Sequence, residues 1–364
     1  MANIYDVAKR ARVSAATVSA VVNGSAYVSP ALKSRVEEAI ELLSYRPNSV
    51  ARSLAQQRTR TIGMVALNIA NPFWPAVVRG AEDAVRARGY ELLLVNSDDD
   101  PEKEAQDLRL FLAKRVDGIL LTKSCGRLPA DLHTQLKTSR VPVVQLMRLG
   151  TGLRSDVVTV DEEGGAYEAV AHLLRLGYTR IGMLNGPNVS TSRRRFVGYQ
   201  QALKAWRRRV DPSLVVASDF RVEAGYESGI TLLRRRPDAV FVANYLMAVG
   251  FMQALRQYQI RCPEDIGLVT CDDHPWLDAF APRLTTINLP KYEIGRRAAE
   301  LLVDRIEPAD GVKRSGVKVI TLRTALRIRE SCGYELRAMR HPRRSADLPA
   351  QEPESLAPAN TEGP

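Results

Sequence analysis

The sequence predicts an α/β protein whose first sixty residues are helical and whose remainder alternates strands with helices. Three observations point there. Before residue 60, apolar residues recur at i, i+3 and i+4. From Thr61 onward, short β-branched runs alternate with stretches of helical period. That alternation runs through twice and leaves a third, shorter set near the C-terminus. Parallel sheets covered by helices are what such a pattern builds.

In the head, Ile4, Val7 and Ala8 form one apolar stripe that Ala11 extends, so a first helix ends near Arg10 or Ala11. Asp6 falls in its first turn, where the helix dipole favours an acid. Ser14 stands where an N-cap belongs. Ala15 to Asn23 then form a second helix, with Val18, Val21 and Val22 inward and Ala15, Ala16, Thr17, Ser19 and Ala20 outward. Two helices joined by a tight turn, the second short and carrying small side chains outward, fit the major groove of double-stranded DNA. A buried amphipathic hairpin is the competing reading. Ser29 and Pro30 open a capped third helix with Val36, Ala39, Ile40, Leu42 and Leu43 as its stripe, and Tyr45-Arg46-Pro47 stops it. Asn48 caps a fourth helix, SVARSLAQQ, which is too short to be stable alone.

The strands of the first series are TIGMVAL, YELLLVN, DGILLT and VPVVQL, separated by helices at 72–88, 102–115 and about 130–138. The second series is DVVTV, RIGMLNG, LVVA, DAVFVA and DIGLVT, with helices at 163–176, 193–208, 223–235 and 246–258. LTTIN, a helix at 290–306, VKVITL and ALRIRES are left over. Residues 337–364 are rich in Pro, Ala and charge, lack an apolar period and are expected to be disordered. Nothing there repeats at seven, and a homodimer is kept as the default assembly.

Composition excludes little by itself: 45% apolar and 26% charged residues in 364 are ordinary for a globular chain. The net charge of +11 suggests an anionic partner, and residues 1–60 hold nine Lys/Arg against four acids. Basic surfaces also occur on proteins that bind nothing acidic, so charge supports the helical motif without replacing it. Four separated cysteines with no CxxC pair, and four histidines at no metal spacing, point to a reducing cytoplasm and to no metal or cofactor. The N-terminus lacks a signal-peptide pattern and no run approaches 18 apolar residues, so neither export nor membrane insertion is expected. GxSxG, HExxH, P-loop and GxGxxG patterns are missing, and an enzyme is not expected.

The run from IYDVAKRA through TVS, NGS, YRPN and ARSL resembles the start of a LacI/GalR-family bacterial transcription regulator, and the resemblance extends more loosely to about residue 335. It implies a helix-turn-helix at 4–23 and a hinge helix at 48–56 that orders on operator DNA. Leu54 would enter the minor groove as a wedge. By the same resemblance the DNA-binding residues are Ser14, Ala15, Ala16, Thr17, Ser19, Ala20 and Asn23 in the head, with Asn48, Ala51, Arg52 and Leu54 in the hinge. Two departures stand out. Arg12 occupies a turn position where relatives carry Gly or Asn and φ tends to be positive, at a cost of about 1 kcal/mol. Ala20 replaces a polar base-reading residue, so hydrogen-bonded base readout should be thin.

The resemblance also implies a two-lobed periplasmic-binding-protein-like core of parallel sheets that traps a small-molecule effector. The expected domains are the head 1–47, hinge and linker 48–60, and core 61–336, ahead of the tail 337–364. Within the core, lobe 1 takes about 61–160 plus 290–320, and lobe 2 takes 161–289 plus 321–336.

Ligands of open α/β sheets lie beyond the carboxyl ends of strands. The loops there carry Phe73, Trp74 and Arg148, and the family pattern adds Arg195, Phe220, Asn244 and Asp272 as effector-binding residues. Each has a plainer alternative: Phe73 and Trp74 as core, Arg193-Arg194-Arg195 as a solvated face, Asp272 as a turn cap. Tyr245 and Met147 stand where relatives often carry Asp, which suggests a pocket less polar than a simple hexose requires. The function expected is a DNA-binding regulator, most simply a repressor, controlled by a sugar-like or nucleoside-like effector. A solute-binding protein for transport would share the core but needs export, and a nucleoid-type structural protein would leave the cleft unexplained.

Overall fold

The computed structural model of the chain describes residues 2–24, 26–45, 58–150, 152–308 and 316–340. The expected hinge helix with Asn48, Ala51, Arg52 and Leu54 lies outside these residues, as does the tail from residue 341.

Three helices form the head: α1 (Ile4–Ala11), α2 (Ala15–Asn23) and α3 (Pro30–Leu42). Val7, Ala8, Ala11, Val18, Val36 and Ala39 bury their side chains together, with Val21, Val22, Ile40 and Leu43 packed on the rim. Three expectations need correction. Leu42 is 59% exposed, because α3 ends there and the inward stripe passes on to Leu43. Ser29 begins α3 without a side-chain cap, and Pro30, whose fixed φ suits the first helical position, opens the helix instead. Ala15 does not face wholly outward; its methyl packs partly against the head's core.

The core contains two six-stranded sheets. The first has the order β11-β5-β4-β3-β1-β2 and the second β12-β10-β9-β8-β6-β7. The first sheet uses β1 (Thr61–Ala66), β2 (Glu91–Asn96), β3 (Gly118–Leu121), β4 (Val143–Leu146), β5 (Asp156–Val160) and β11 (Val319–Leu322). The second uses β6 (Ile181–Asn185), β7 (Val215–Ala217), β8 (Ala239–Val242), β9 (Gly267–Cys271), β10 (Thr285–Asn288) and β12 (Ala325–Arg327). All neighbours are parallel except β12, which runs antiparallel to β10. Buried on both faces, the central strands are continuous apolar runs rather than alternating ones.

The chain passes between sheets three times: after β5, after β10, and between β11 and β12. β11 pairs with β5 through Leu322, so the last crossing falls at Arg323 and Thr324, close to the boundary expected at about 320. Helix Lys291–Ile306 returns to the first sheet and lies on helix Phe73–Ala87 at glycine positions. A Cβ on Gly295 would stand 1.8 Å from the Val77 carbonyl oxygen, and one on Gly80 would stand 2.0 Å from that of Tyr292. A final helix, Tyr334–Arg340, occupies the start of the stretch expected to be disordered. Arg337 anchors it, stacking 3.5 Å from the centre of the Tyr178 ring and donating to the Leu176 carbonyl.

Candidate functional site

The head's surface is built by local caps. Asn3 closes α1 with a reciprocal capping box: its Oδ1 accepts from the amides of Tyr5 and Asp6, and its own amide donates to Asp6 Oδ2 at 2.9 Å. Arg12 then takes the left-handed conformation, φ 52°, as the turn position requires. Its strain is held by a contact that no local pattern revealed. Arg35, on α3, donates to the carbonyls of Ala11 and Arg12 and ties the end of α1 to the third helix. Ser14 caps α2, accepting from the Thr17 amide at 3.1 Å, and the two hydroxyls lie 2.9 Å apart. Ser14, Ala16 and Arg12 are exposed, while Thr17, Ser19 and Ala20 are half-buried. Asn23 ends α2, and its side chain lies outside the described portion.

The second site is a cavity of about 440 Å³ between the two sheets, lined by the carboxyl ends of strands from both lobes. That volume suits a small molecule. Phe73, Trp74, Arg148, Arg195, Phe220, Asn244 and Asp272 all line it. Phe73 and Trp74, edge-to-face with centroids 5.1 Å apart, are core and cavity wall at once. Of the three consecutive arginines, 193 and 194 are solvated and only Arg195 turns inward. Asp272 and Asp273 divide the two readings between them. Asp273 accepts from Thr286 and Arg329, and although burial works against its charge, these bonds hold its carboxyl below the usual range. Asp272 faces the cavity.

Asn244 connects that carboxylate to the fold. Its Oδ1 caps helix Tyr245–Gln257 by accepting from the Leu246 amide, which turns its amide nitrogen to Asp272 Oδ2, 3.1 Å away. Asp272 itself has φ 72°, and Asp98, Asp99 and Met147 at other strand ends are also left-handed. Non-glycine residues held this way at a cavity lip cost energy that the surrounding fold must offset, and such strain gathers at ligand sites.

The lining is more charged than the sequence suggested. Tyr245, expected to make it apolar, turns away to pack against His274 and Trp276, 4.6 and 5.4 Å between centroids. Asp98, Asp99, Asp219 and Asp272 face the cavity together with Arg148, Arg195 and Arg221. Arg148 donates to both oxygens of Asp99, at 2.7 and 2.9 Å, and lies over the Phe220 ring of the opposite lobe at 5.6 Å. Asp99 also accepts from the Cys125 amide, and burial with that carboxylate beside it raises the Cys125 thiol. Arg195 is gripped by Glu162, Nε to Oε2 at 2.5 Å and Nη2 to Oε1 at 3.1 Å, while Nη1 donates to the Ala243 carbonyl. Burial opposes the Arg195 charge, but Cys271, Glu162 and Asp272 around it hold the guanidinium ionised, above its usual range.

Sequence reasoning missed Glu162 and Asp99. Asp99 stands in an acidic run, Asp98-Asp99-Asp100, after a strand, where it reads as part of a solvated turn. Glu162 follows the helix cap Asp161, so it reads as an acid complementing the dipole.

Comparison with known proteins places both sites in one setting. Residues 3–48 match the family described as bacterial regulatory proteins, lacI family, and residues 170–332 match a periplasmic binding protein-like domain. The HTH-type transcriptional repressor PurR of Haemophilus influenzae is 36% identical over 314 residues, covering 85% of this chain and 93% of that protein. The ribose operon repressor of Escherichia coli K12 is 37% identical over 309 residues, covering 84% and 93%. Among solved structures, a transcriptional regulator CelR–cellobiose complex superposes with TM-score 0.67 at 33% identity, covering 91% of this chain and all of that one. The lac repressor dimer bound to operator and the anti-inducer ONPF gives TM-score 0.78 at 26% identity, covering 91% and 99%.

Proposed function

The chain belongs to the lacI family of bacterial regulatory proteins, a DNA-binding regulator under small-molecule control, and from that premise we propose how its parts divide the work. As a homodimer, in the cytoplasm, it represses transcription from a palindromic operator. The outward side of α2, with Ser14, Ala15, Ala16, Thr17, Ser19, Ala20 and Asn23, enters the major groove, and Asn48, Ala51, Arg52 and Leu54 follow at the operator centre. Arg12 supplies a phosphate contact that places the head without reading sequence. The effector binds between the lobes against Phe73, Trp74, Arg148, Arg195, Phe220, Asn244 and Asp272. Catalysis has no part in this.

One observation carries the reading: an Asp272 carboxylate is held inside a cavity lined from both lobes, on a chain whose head presents a capped, small-faced helix. A ligand bridging the lobes favours one lobe arrangement, and linkage then requires DNA and ligand to change each other's affinity by the same factor. The relatives bracket the ligand chemistry, with cellobiose in the CelR complex and ribose in the name of the operon repressor. A thermal-shift screen of sugars, sugar acids and nucleosides, followed by operator titrations with and without each hit, tests the proposal. A hit that stabilises the protein yet leaves operator affinity unchanged would overturn it.

A further inference from the structure

The cations of the cavity are accounted for by carboxylates of this chain. Arg148 is held by Asp99, Arg195 by Glu162 and Arg221 by Asp219. The pairs are not equivalent. Arg221 and Asp219 are both well exposed, so solvent screens them and they constrain little. Glu162 and Arg195 are buried and meet through two parallel hydrogen bonds, the strongest geometry open to a guanidinium. Asp98 is matched by Lys103 at the surface. Asp272 is matched by no cation within ion-pair distance among the described residues; its hydrogen-bond partner is the neutral amide of Asn244.

We propose that Glu162 is a positioning residue that decides effector charge: by taking Arg195 into a buried bidentate pair it closes the site to anions and reserves it for an uncharged, hydroxyl-bearing ligand. This rests on the cavity being the effector site. A guanidinium has five N–H groups, and Arg195 spends three of them on Glu162 and Ala243. Two remain, on a guanidinium that lines the same cavity as Asp272, as donors whose charge is already neutralised. A carboxylate or phosphate would meet no free cation there and would face the Asp272 charge. A hydroxyl instead accepts from Arg195 and donates to Asp272. Across the cavity the fully buried Thr122 hydroxyl, with no hydrogen-bond partner among the described residues, offers a further polar contact. Burial raises the Glu162 carboxyl. Even so, both of its oxygens receive N–H donors, which is the arrangement of a carboxylate and not of the acid.

The test uses full-length protein and matched probes in calorimetric titrations: D-ribose and D-ribonate, D-glucose and D-gluconate, cellobiose and cellobionate, with inorganic phosphate added. Wild type is expected to discriminate against the acid in each pair. Glu162→Gln, which keeps the side chain's shape and frees the Arg195 charge, is expected to gain tenfold or more affinity for at least one anion. Glu162→Asp, which restores the carboxylate, is expected to lose that gain; a purely structural role for Glu162 moves none of these preferences. The proposal is overturned by a wild type that prefers the acids, or by a Gln variant that folds and gains no anion. Glu162→Asn replaces the Gln variant if a melting curve shows that one unfolded, and should both fail to fold, the wild-type preference within the pairs decides. A wild type blind to every neutral probe, alongside anion gain in the Gln variant, counts against the sugar-effector reading and leaves the role of Glu162 standing.

Discussion

The head and the cleft put side chains in place by opposite means. In the head, Ser14 to Asn23 are consecutive and their orientation follows from one cap and one helical period. In the cleft, Trp74, Arg148, Arg195, Asn244 and Asp272 come from five separate stretches of chain, two of them helical, and meet only because two sheets bring their strand ends together. The head holds no histidine and no buried ion pair among its described residues, whereas the core buries both. Damage to the head should therefore stay local and alter DNA binding, while damage to the cleft should reach both stability and effector response.

The largest effect that separates the two regions belongs to Arg195. Arg195→Ala leaves Glu162 buried without its partner, and breaking such a pair costs about 3–5 kcal/mol. Denaturant unfolding should show that loss together with the loss of effector response. Asp272→Asn is the cleaner probe, since it keeps the shape and removes the charge. It should weaken the response tenfold or more, about 1.4 kcal/mol, and leave ligand-free operator affinity in place. Should Asp272→Asn respond like wild type, Asp272 is not an effector contact.

Acid should separate the regions next. Burial depresses His172 to about 4, with Arg175 adding to it, and burial with Lys291 nearby depresses His274 to about 4 as well. Above the ordinary histidine range of about 6.5, neither folded nor unfolded chain carries these protons, and stability is full. As pH falls from there toward 4 the unfolded chain binds protons that the folded core refuses. Stability should drop by roughly 1.4 kcal/mol per pH unit for each group. His172→Asn should flatten the profile measured by thermal melts between pH 7 and pH 4; an unchanged slope would show that His172 does not titrate on unfolding.

Leu54→Ala tests the head's side of the comparison. The alanines at 15, 16 and 20 donate and accept no hydrogen bonds, so sequence preference must rest more on the deformability of the operator centre, where an apolar wedge is costly to insert. Operator affinity should fall about tenfold, roughly 1.4 kcal/mol, while random duplex binding, governed by phosphate contacts and salt, barely changes. Equal losses on both duplexes would make Leu54 a packing residue. The smallest effect is expected from removing everything after Arg340. The Arg337 contact with Tyr178 survives that cut, and light scattering should still report a dimer of unchanged operator affinity. A tetramer that falls to a dimer on truncation would assign the tail an assembly role.

The sequence alone determined what depends on short-range order: the helical period and Ser14 cap of the head and the strand–helix alternation of the core, while the left-handed turn at Arg12 was legible only through the family resemblance. It also located most cleft residues, because a side chain just past a strand's carboxyl end is already committed to the mouth of a parallel sheet. Tertiary structure alone decided which charges meet. Arg35 reaching back to Ala11, Asp99 taking Arg148 and Glu162 taking Arg195 join residues 24, 49 and 33 positions apart. No local pattern encodes such partners. The energy of a buried charge depends on what surrounds it in space, and until the helices Glu162–Arg175 and Ser190–Ala205 pack together Glu162 is only an acid in the first turn of a helix.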